Sequence, residues 1–535
     1  MSTASPYPVL VVGAGPVGLT AATELLRRGV SVRCVDRAAA PSPLSKALLV
    51  WPRTLEILRR LGGGNHIAER AMPLRAFRYY SSGAPVGSLE FRPVDQPVIM
   101  PQPDVEAALL DSLGQAGGAV EWSTRLLGLE QHRDRVTATL TGPDGEPYTA
   151  DFAYLVGADG AGSTVRELLG ITFEGLTYPN TFVVADAEME GDLAHDDSHY
   201  FCSPRGVLVT CGLPNGRFRV FTSAPPDLPR EEVTLDQVQQ LVDERGPGGL
   251  TLRNPTWVSA FSVHARHAER TREGRVFLVG DAAHIHSPAG GQGLNTGVGD
   301  AYNLSWKLAL AHRGLAGEQV LDSVRTERGQ VAEAIVKQAD LQTRAWMLPK
   351  PAQRAVRDAL LRAASAVRLG DLWYVPWLAG FRTVYRDPAG GRPQRAGGFT
   401  AGALVGDREV WDVRASRRSG LRQALGDLRH TLLVVAEGGA LPAAARRAVQ
   451  SAADRYGELL EVRVLDTAEA ELRDGRPAEL RPRQARRRGR QPALVLVRPD
   501  QHVAVAVPAD RPGVLLDHLA ALGAGARAAE RTALV

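Results

Sequence analysis

The chain has little sulfur, almost no lysine and no long apolar run. Its three cysteines, Cys34, Cys202 and Cys211, are an odd number in 535 residues and show no CxxC spacing. They indicate neither a disulfide framework nor a zinc site, and they point to a reducing compartment, the cytoplasm. Only four lysines are present (Lys46, Lys307, Lys337, Lys350), so arginine carries nearly all of the positive charge. That bias goes with plentiful alanine, glycine and proline, as GC-rich codons would produce. No apolar stretch approaches the ~18 residues of a membrane span. The N-terminus lacks the basic and apolar regions of a secretory leader, and "PVLVVGAG" reads as a first strand.

What is present is ordinary for a globular protein: 44% hydrophobic and 23% charged residues, with a net charge of +4. The length implies two to four domains. The densest basic run, "RPRQARRRGRQ" (Arg481 to Gln491), has no aromatic residue between its arginines. It reads as a solvated loop rather than a nucleic-acid patch.

Short apolar strands hand over to helices at glycines in the first half, which implies an α/β layout. From about residue 176 to 270 the segments "TFVVADAEM", "VLVTCGL" and "RFRVFTSA" read as an antiparallel sheet. Helical character runs from Ala301 to about Leu378. "RDPAGGRPQRAGG" (Arg386 to Gly398) is a linker, and a small α/β domain follows it.

Three segments carry the chemistry. Gly13, Gly15 and Gly18 form GxGxxG directly after a strand and at the start of a helix, with Asp36-Arg37 ending the next strand. The first glycine permits a tight turn, the second lets backbone approach a pyrophosphate, and the third lets helix and strand pack closely. "YLVGADGAGSTVRELLG" (Tyr154 to Gly170) places Asp159-Gly160 after a strand and Arg166 on a short helix. "GDAAHIHSPAGGQGLNTG" (Gly280 to Gly297) sets bare backbone between a strand and a helix. Such a loop suits a flat ring that must lie against main chain, with helix N–H groups aimed at it.

In these three motifs the chain resembles the class A flavoprotein monooxygenases, the para-hydroxybenzoate hydroxylase family, and its aromatic polyketide hydroxylase branch in particular. The likeness runs from about Pro8 to Asp340. It implies a Rossmann-type α/β FAD-binding domain (1–175 and 271–340) with an inserted antiparallel-sheet substrate domain (176–270). A helical segment and linker (341–394) and a C-terminal thioredoxin-like domain without CxxC (395–535) complete the expected architecture. The glycine turn with Pro16, together with Asp36 and Arg37, would bind the ADP half of FAD, with Arg125 and Leu126 beside the adenine and Gln102 in contact with the cofactor. Asp281 would meet the ribityl chain, Pro288 the reactive edge of the ring, and Gly291, Gly293, Leu294 and Asn295 its pyrimidine end. Asp159-Gly160 would serve both FAD and NADPH binding, Lys46 would meet a pyrophosphate, and Lys46 and Arg166 would meet NADPH (or NADH). Lys46 stands where the family usually has arginine, and Ser287 where many relatives have a second proline.

The implied reaction hydroxylates a bulky aromatic substrate with O2, through a flavin C4a-hydroperoxide, without a catalytic side chain and without a metal. Phe201, Cys211 and Leu213 are the expected pocket residues. His284 and His286 are expected to bond loop backbone, and His264 and His267 to be structural. The implied partners are the aromatic small molecule and O2, with no nucleic acid and no membrane, and a homodimer remains open. Baeyer–Villiger insertion, epoxidation and antibiotic-modifying hydroxylation use the same scaffold. A non-catalytic dinucleotide-fold binder is the alternative from another class, and retention of the ring-binding loop from Pro288 to Asn295 argues against it.

Overall fold

The computed structural model describes residues 5–224, 228, 233–386, 391–436, 441–466, 480–482 and 491–532. The chain opens on β1 (Val9–Val12), turns at the first glycines, and enters α1 (Pro16–Arg27) with proline presetting its first turn. β2 (Val32–Val35) returns beside β1, and α2 (Pro52–Leu61) again starts on proline. A hairpin, β3 (Ala76–Ser81) and β4 (Ala84–Glu90), precedes α3 (Gln102–Gln115). β5 (Tyr154–Gly157) pairs with β1, and the short α4 (Thr164–Leu168) follows.

The chain then leaves along β6 (Phe173–Glu190) into β7 (Asp197–Ser203), β8 (Gly206–Gly212) and β9 (Phe218–Ala224). After α5 (Leu235–Arg245) it returns along β10 (Thr251–Ala268). β11 (Val276–Leu278), β12 (His284–Ile285) and α6 (Gly293–His312) complete this half.

Two sheets result. In the first, β11, β5, β1 and β2 lie side by side and parallel. Every residue of β1 is buried, as a parallel sheet covered on both faces requires. One face packs on α1, α3 and α6, and the other on a small antiparallel sheet of residues 125–152.

The second sheet has the order β12-β10-β6-β9-β8-β7-β3-β4. It therefore draws two strands, residues 76–90, from ahead of the expected 176–270 segment. The cause is a parallel β3–β7 pairing between distant parts of the chain, which leaves no local pattern to read.

Beyond α6 run α7 (Gln319–Trp346), α8 (Pro351–Ala366) and, after a π-helical turn at Gly370–Tyr374, the single turn α9 (Val375–Leu378). Residues 387–390 of the linker lie outside the described residues. The last domain contains β13 (His430–Ala436), α10 (Ala443–Tyr456), β14 (Leu460–Asp466), β15 (Ala493–Val497), β16 (Val503–Pro508) and α11 (Gly513–Thr532). A parallel β13–β14 pair bridged by a helix, with β15 and β16 added antiparallel, is the thioredoxin-like arrangement. Residues 483–490 of the arginine-rich run lie outside the described residues. Among the described residues, no helix is long and apolar enough to cross a membrane.

Candidate active site

At the first turn the glycines divide by role. Gly13 has φ +104°, and a Cβ there would stand 2.4 Å from the Ala158 carbonyl oxygen. A Cβ on Gly18 would stand 1.8 Å from the Gly13 oxygen, so this glycine lets α1 press against the turn. Gly15 is different: a Cβ there would meet nothing within 4 Å. The N-terminus of α1 has no side-chain cap, so its N–H groups face that open space with their dipole. Asp36 ends β2 with its carboxylate fixed by the N–H groups of Ala14 (2.7 Å) and Ala38 (2.8 Å). Arg37 and Arg125 are exposed, whereas the Leu126 side chain is in the core, leaving only its backbone for a ligand.

Asp159 turns inward. It accepts hydrogen bonds from Ser163 Oγ (2.5 Å) and the Val165 N–H (3.1 Å), and so organises α4. Burial pushes its carboxyl above the usual range, opposed by those bonds. Arg166, expected to meet NADPH, is buried instead. It donates to the Ala161 oxygen (2.7 Å) and the Ala282 oxygen (3.0 Å), and its guanidinium lies 3.9 Å from the Phe173 ring centroid. It staples the Asp159 loop to the Gly280 turn.

The third segment forms the floor of the same cleft. Gly280 has φ +59° against Val17, where a Cβ would come within 2.9 Å of a Val17 methyl. The Asp281 carboxylate is exposed to the cleft, yet protein encloses it on the other sides. That enclosure pushes its carboxyl up, while His284 and Lys46 pull it down. Pro288 is likewise exposed.

Asn295 holds the loop rather than offering its side chain. Its Oδ1 accepts from the Trp51 N–H (2.8 Å), and its Nδ2 donates to Leu49 and Gly291 oxygens. The indole of Trp51 donates to the Gly290 oxygen at 3.0 Å. Ser287 Oγ pairs with Thr343 Oγ1 on α7 at 2.7 Å, a bond proline could not make. α6 starts at Gly293 without a side-chain cap, and a Cβ on Gly293 would meet nothing within 4 Å. Leu294 is half-buried beside it.

Gln102 links α3 to the segment before α2. Its Oε1 accepts from the Ala47 N–H (3.2 Å) and its Nε2 donates to Glu106 (2.8 Å). Lys46 is exposed next to it. Of the histidines, His286 bonds the Ser287 oxygen, but His284 does not bond loop backbone as expected. Its Nε2 lies 2.6 Å from Asp300 on α6. Sequence reasoning missed Asp300, an acid on a helix that otherwise turns Ala301, Leu304 and Leu308 into the core. That misfit was its signal. Among the described residues no cluster of His, Cys, Asp or Glu could hold a metal.

The long sheet meets this loop with one face. Phe77, Tyr79, Tyr200, Cys211 and Leu213 on that front face share a cluster with Ala289 of the loop, Trp51, and Trp346 of α7. Phe201 is a correction. It stacks on Tyr80 at 4.6 Å on the back face, under α5, because neighbouring strand residues point to opposite sides. On the other flank of the loop a cavity of about 800 Å³ is bounded by Gln292, Asn295, Thr296, Tyr302, Trp377 and Tyr385.

Two uncapped helix N-termini, three glycines open to the cleft (Gly15, Gly160, Gly293) and two fixed carboxylates fit a dinucleotide ending in a flat ring. Fold and site together define a Rossmann-type flavoprotein. The chain belongs to the FAD binding domain family, whose profile matches residues 6–339. It is 35% identical over 521 residues to 6-methylpretetramide 4-monooxygenase of Streptomyces rimosus, covering 93% of this chain and 90% of that one. The solved flavin-dependent monooxygenase PieE, in complex with FAD and substrate, superposes with a TM-score of 0.79 at 27% identity, over 96% of this chain and 99% of that one. Aklavinone-11 hydroxylase, with FAD and aklavinone, gives 0.75 at 28% identity, over 97% and 99%. The protein is thus an FAD-dependent monooxygenase.

Proposed function

We propose that the protein places one oxygen atom from O2 on a bulky, polycyclic phenol of the polyketide type, using NADPH or NADH as reductant. The observation that carries this reading is the aromatic front face of the long sheet, which meets the ring-binding loop at Ala289. Trp51, Phe77 and Phe91 pack edge-to-face there, and Tyr79 and Tyr200 stack at 5.0 Å. Such a wall suits a wide, flat, apolar substrate. The names of two relatives, 6-methylpretetramide 4-monooxygenase and aklavinone-11 hydroxylase, support the same class.

Bound FAD supplies the two-electron redox chemistry that O2 activation needs. The chain's residues bind and orient it. The α1 N-terminus and Asp36 hold the ADP half, Asp281 the ribityl chain, and the open N–H groups of α6 the electron-rich end of the ring. Glu106, pushed up by burial and by the charge of Asp36, lies buried behind Gln102, and Lys46 is exposed nearby. Lys46 supports contact with the reductant's phosphates as an exposed cation near Gln102, whereas Arg166 is committed to the protein interior.

The test is NAD(P)H oxidation by the FAD-loaded protein under ¹⁸O2 with a panel of polycyclic phenols. The reading requires stimulation by at least one phenol and a product carrying one labelled oxygen. Reductant consumption that ignores every phenol and yields only H2O2 would reject it.

A further inference from the structure

The tip of the β15–β16 hairpin, residues 498–502, is buried. Arg498, Asp500, Gln501 and His502 are between 0% and 9% exposed, although loop tips ordinarily meet solvent. The tip inserts behind the flavin seat, where Asp500 and His502 help to line the cavity whose other wall includes Gln292, Asn295 and Thr296.

Arg498 makes a two-pronged bond to Glu327 on α7 (2.6 and 2.7 Å) and also holds Asp500. Glu327 in turn accepts from Asn303 and Lys307 of α6, both at 2.8 Å. The next residue on α7, Arg328, turns toward α6. It donates to Asp300 (2.7 Å), to the Thr296 oxygen in the first turn of α6 (3.0 Å), and to Tyr385 (3.3 Å), whose ring lies 4.2 Å from His502. Asp300 also accepts from the Gly280 N–H at 3.1 Å and contacts His284. One carboxylate thus bolts the Gly280 turn to α6, and one arginine bolts that carboxylate to α7.

We propose that the C-terminal domain is a positioning device for FAD. Its buried hairpin tip, acting through Glu327 and Arg328 on α7, sets the place of the Asp300 bolt and of the α6 N-terminus beneath the ring. This gives work to a domain that has no cysteine for thioredoxin chemistry. It rests on FAD binding alone. Failure to oxidise any phenol would sink the substrate reading and leave this one standing.

The experiment compares Arg498→Met with Asp427→Asn. Asp427 belongs to a separate contact of the same domain, with Arg27 of α1. For each full-length variant, the FAD dissociation constant, the visible circular dichroism of bound flavin and the melting temperature are measured. Arg498→Met is expected to weaken FAD at least tenfold and to change the flavin dichroism. Asp427→Asn is expected to lower the melting temperature while FAD affinity stays within twofold and the dichroism is unchanged. Arg498→Lys, which keeps the charge but loses the fork, should restore part of the affinity. Equal loosening of FAD by both sites, or an Arg498→Met protein with native affinity and dichroism, overturns the proposal. If Arg498→Met does not fold, Arg498→Lys decides: native affinity and dichroism in that variant overturn it too.

Discussion

At the scale of single residues, the groups that hold the flavin loop carry opposed charges in a dry place. Burial alone would lower the His284 pKa, but the charge of Asp300 and their hydrogen bond outweigh it and raise it above 6.5. A raised folded pKa adds stability that is complete below the unfolded value and is lost as pH climbs through the folded one. Asp300 is opposite. Arg328 and His284 overcome burial and lower its pKa, so its contribution holds above the ordinary carboxylate range and fades only as pH falls through its depressed folded value. His284→Asn should therefore flatten the fall in melting temperature on the alkaline side of pH 6.5. Parallel profiles for the variant and the parent would show that the pair is not coupled to folding. The thiols are silent for a simpler reason: burial pushes Cys34 and Cys211 to about 12 and Cys202 to about 11. At pH 8 their thiolate fraction is on the order of 10⁻³ or less. A disulfide reagent should label none of the three until denaturant is added, and prompt labelling of the native protein would contradict their burial.

At the scale of elements, the glycine turns separate binding from folding. Gly15→Val projects into open space, so the apoprotein should melt within about 1 °C of the parent, since surface substitutions alter stability by less than ~0.5 kcal/mol. Its FAD affinity should fall at least tenfold. Gly18→Val drives a side chain into the Gly13 carbonyl, and overpacking of this kind costs ~1–3 kcal/mol or more. That variant should lose stability before any cofactor is added. Equal melting temperatures for the two would mean the turn does not divide in this way. These turns were legible in the sequence because close backbone approach demands glycine locally, whatever surrounds it. Hairpin β3–β4 was not legible, since its partner β7 lies more than a hundred residues away. The face of Phe201 was also hidden, because it depends on which side of the sheet α5 covers. Arg166 was expected to meet NADPH, and only the packing of Phe173 and Ala282 around it reveals a staple.

At the scale of the whole molecule, ion pairs among the described residues fasten the C-terminal domain at three places. Asp427 meets Arg27, with the Leu428 oxygen beside it accepting from Arg28. Arg422 meets Glu56, and Arg498 meets Glu327. Side chains in the last two contacts are mostly screened from solvent, so removing one partner leaves a charge stranded at a cost of ~3–5 kcal/mol. Calorimetry should accordingly record one cooperative transition for the FAD-binding and C-terminal domains together, and two resolved transitions would show that the joint is loose.

The two longest strands, β6 and β10, each run 18 residues from the cofactor domain into the far sheet, paired along most of their length. They work as a pair of rails: one end is committed to the cofactor domain, while β7, β8 and β9 hang from the other. Back-face residues of those hanging strands, which pack under α5 rather than on the ring-binding loop, can therefore change without disturbing the geometry of the reaction centre.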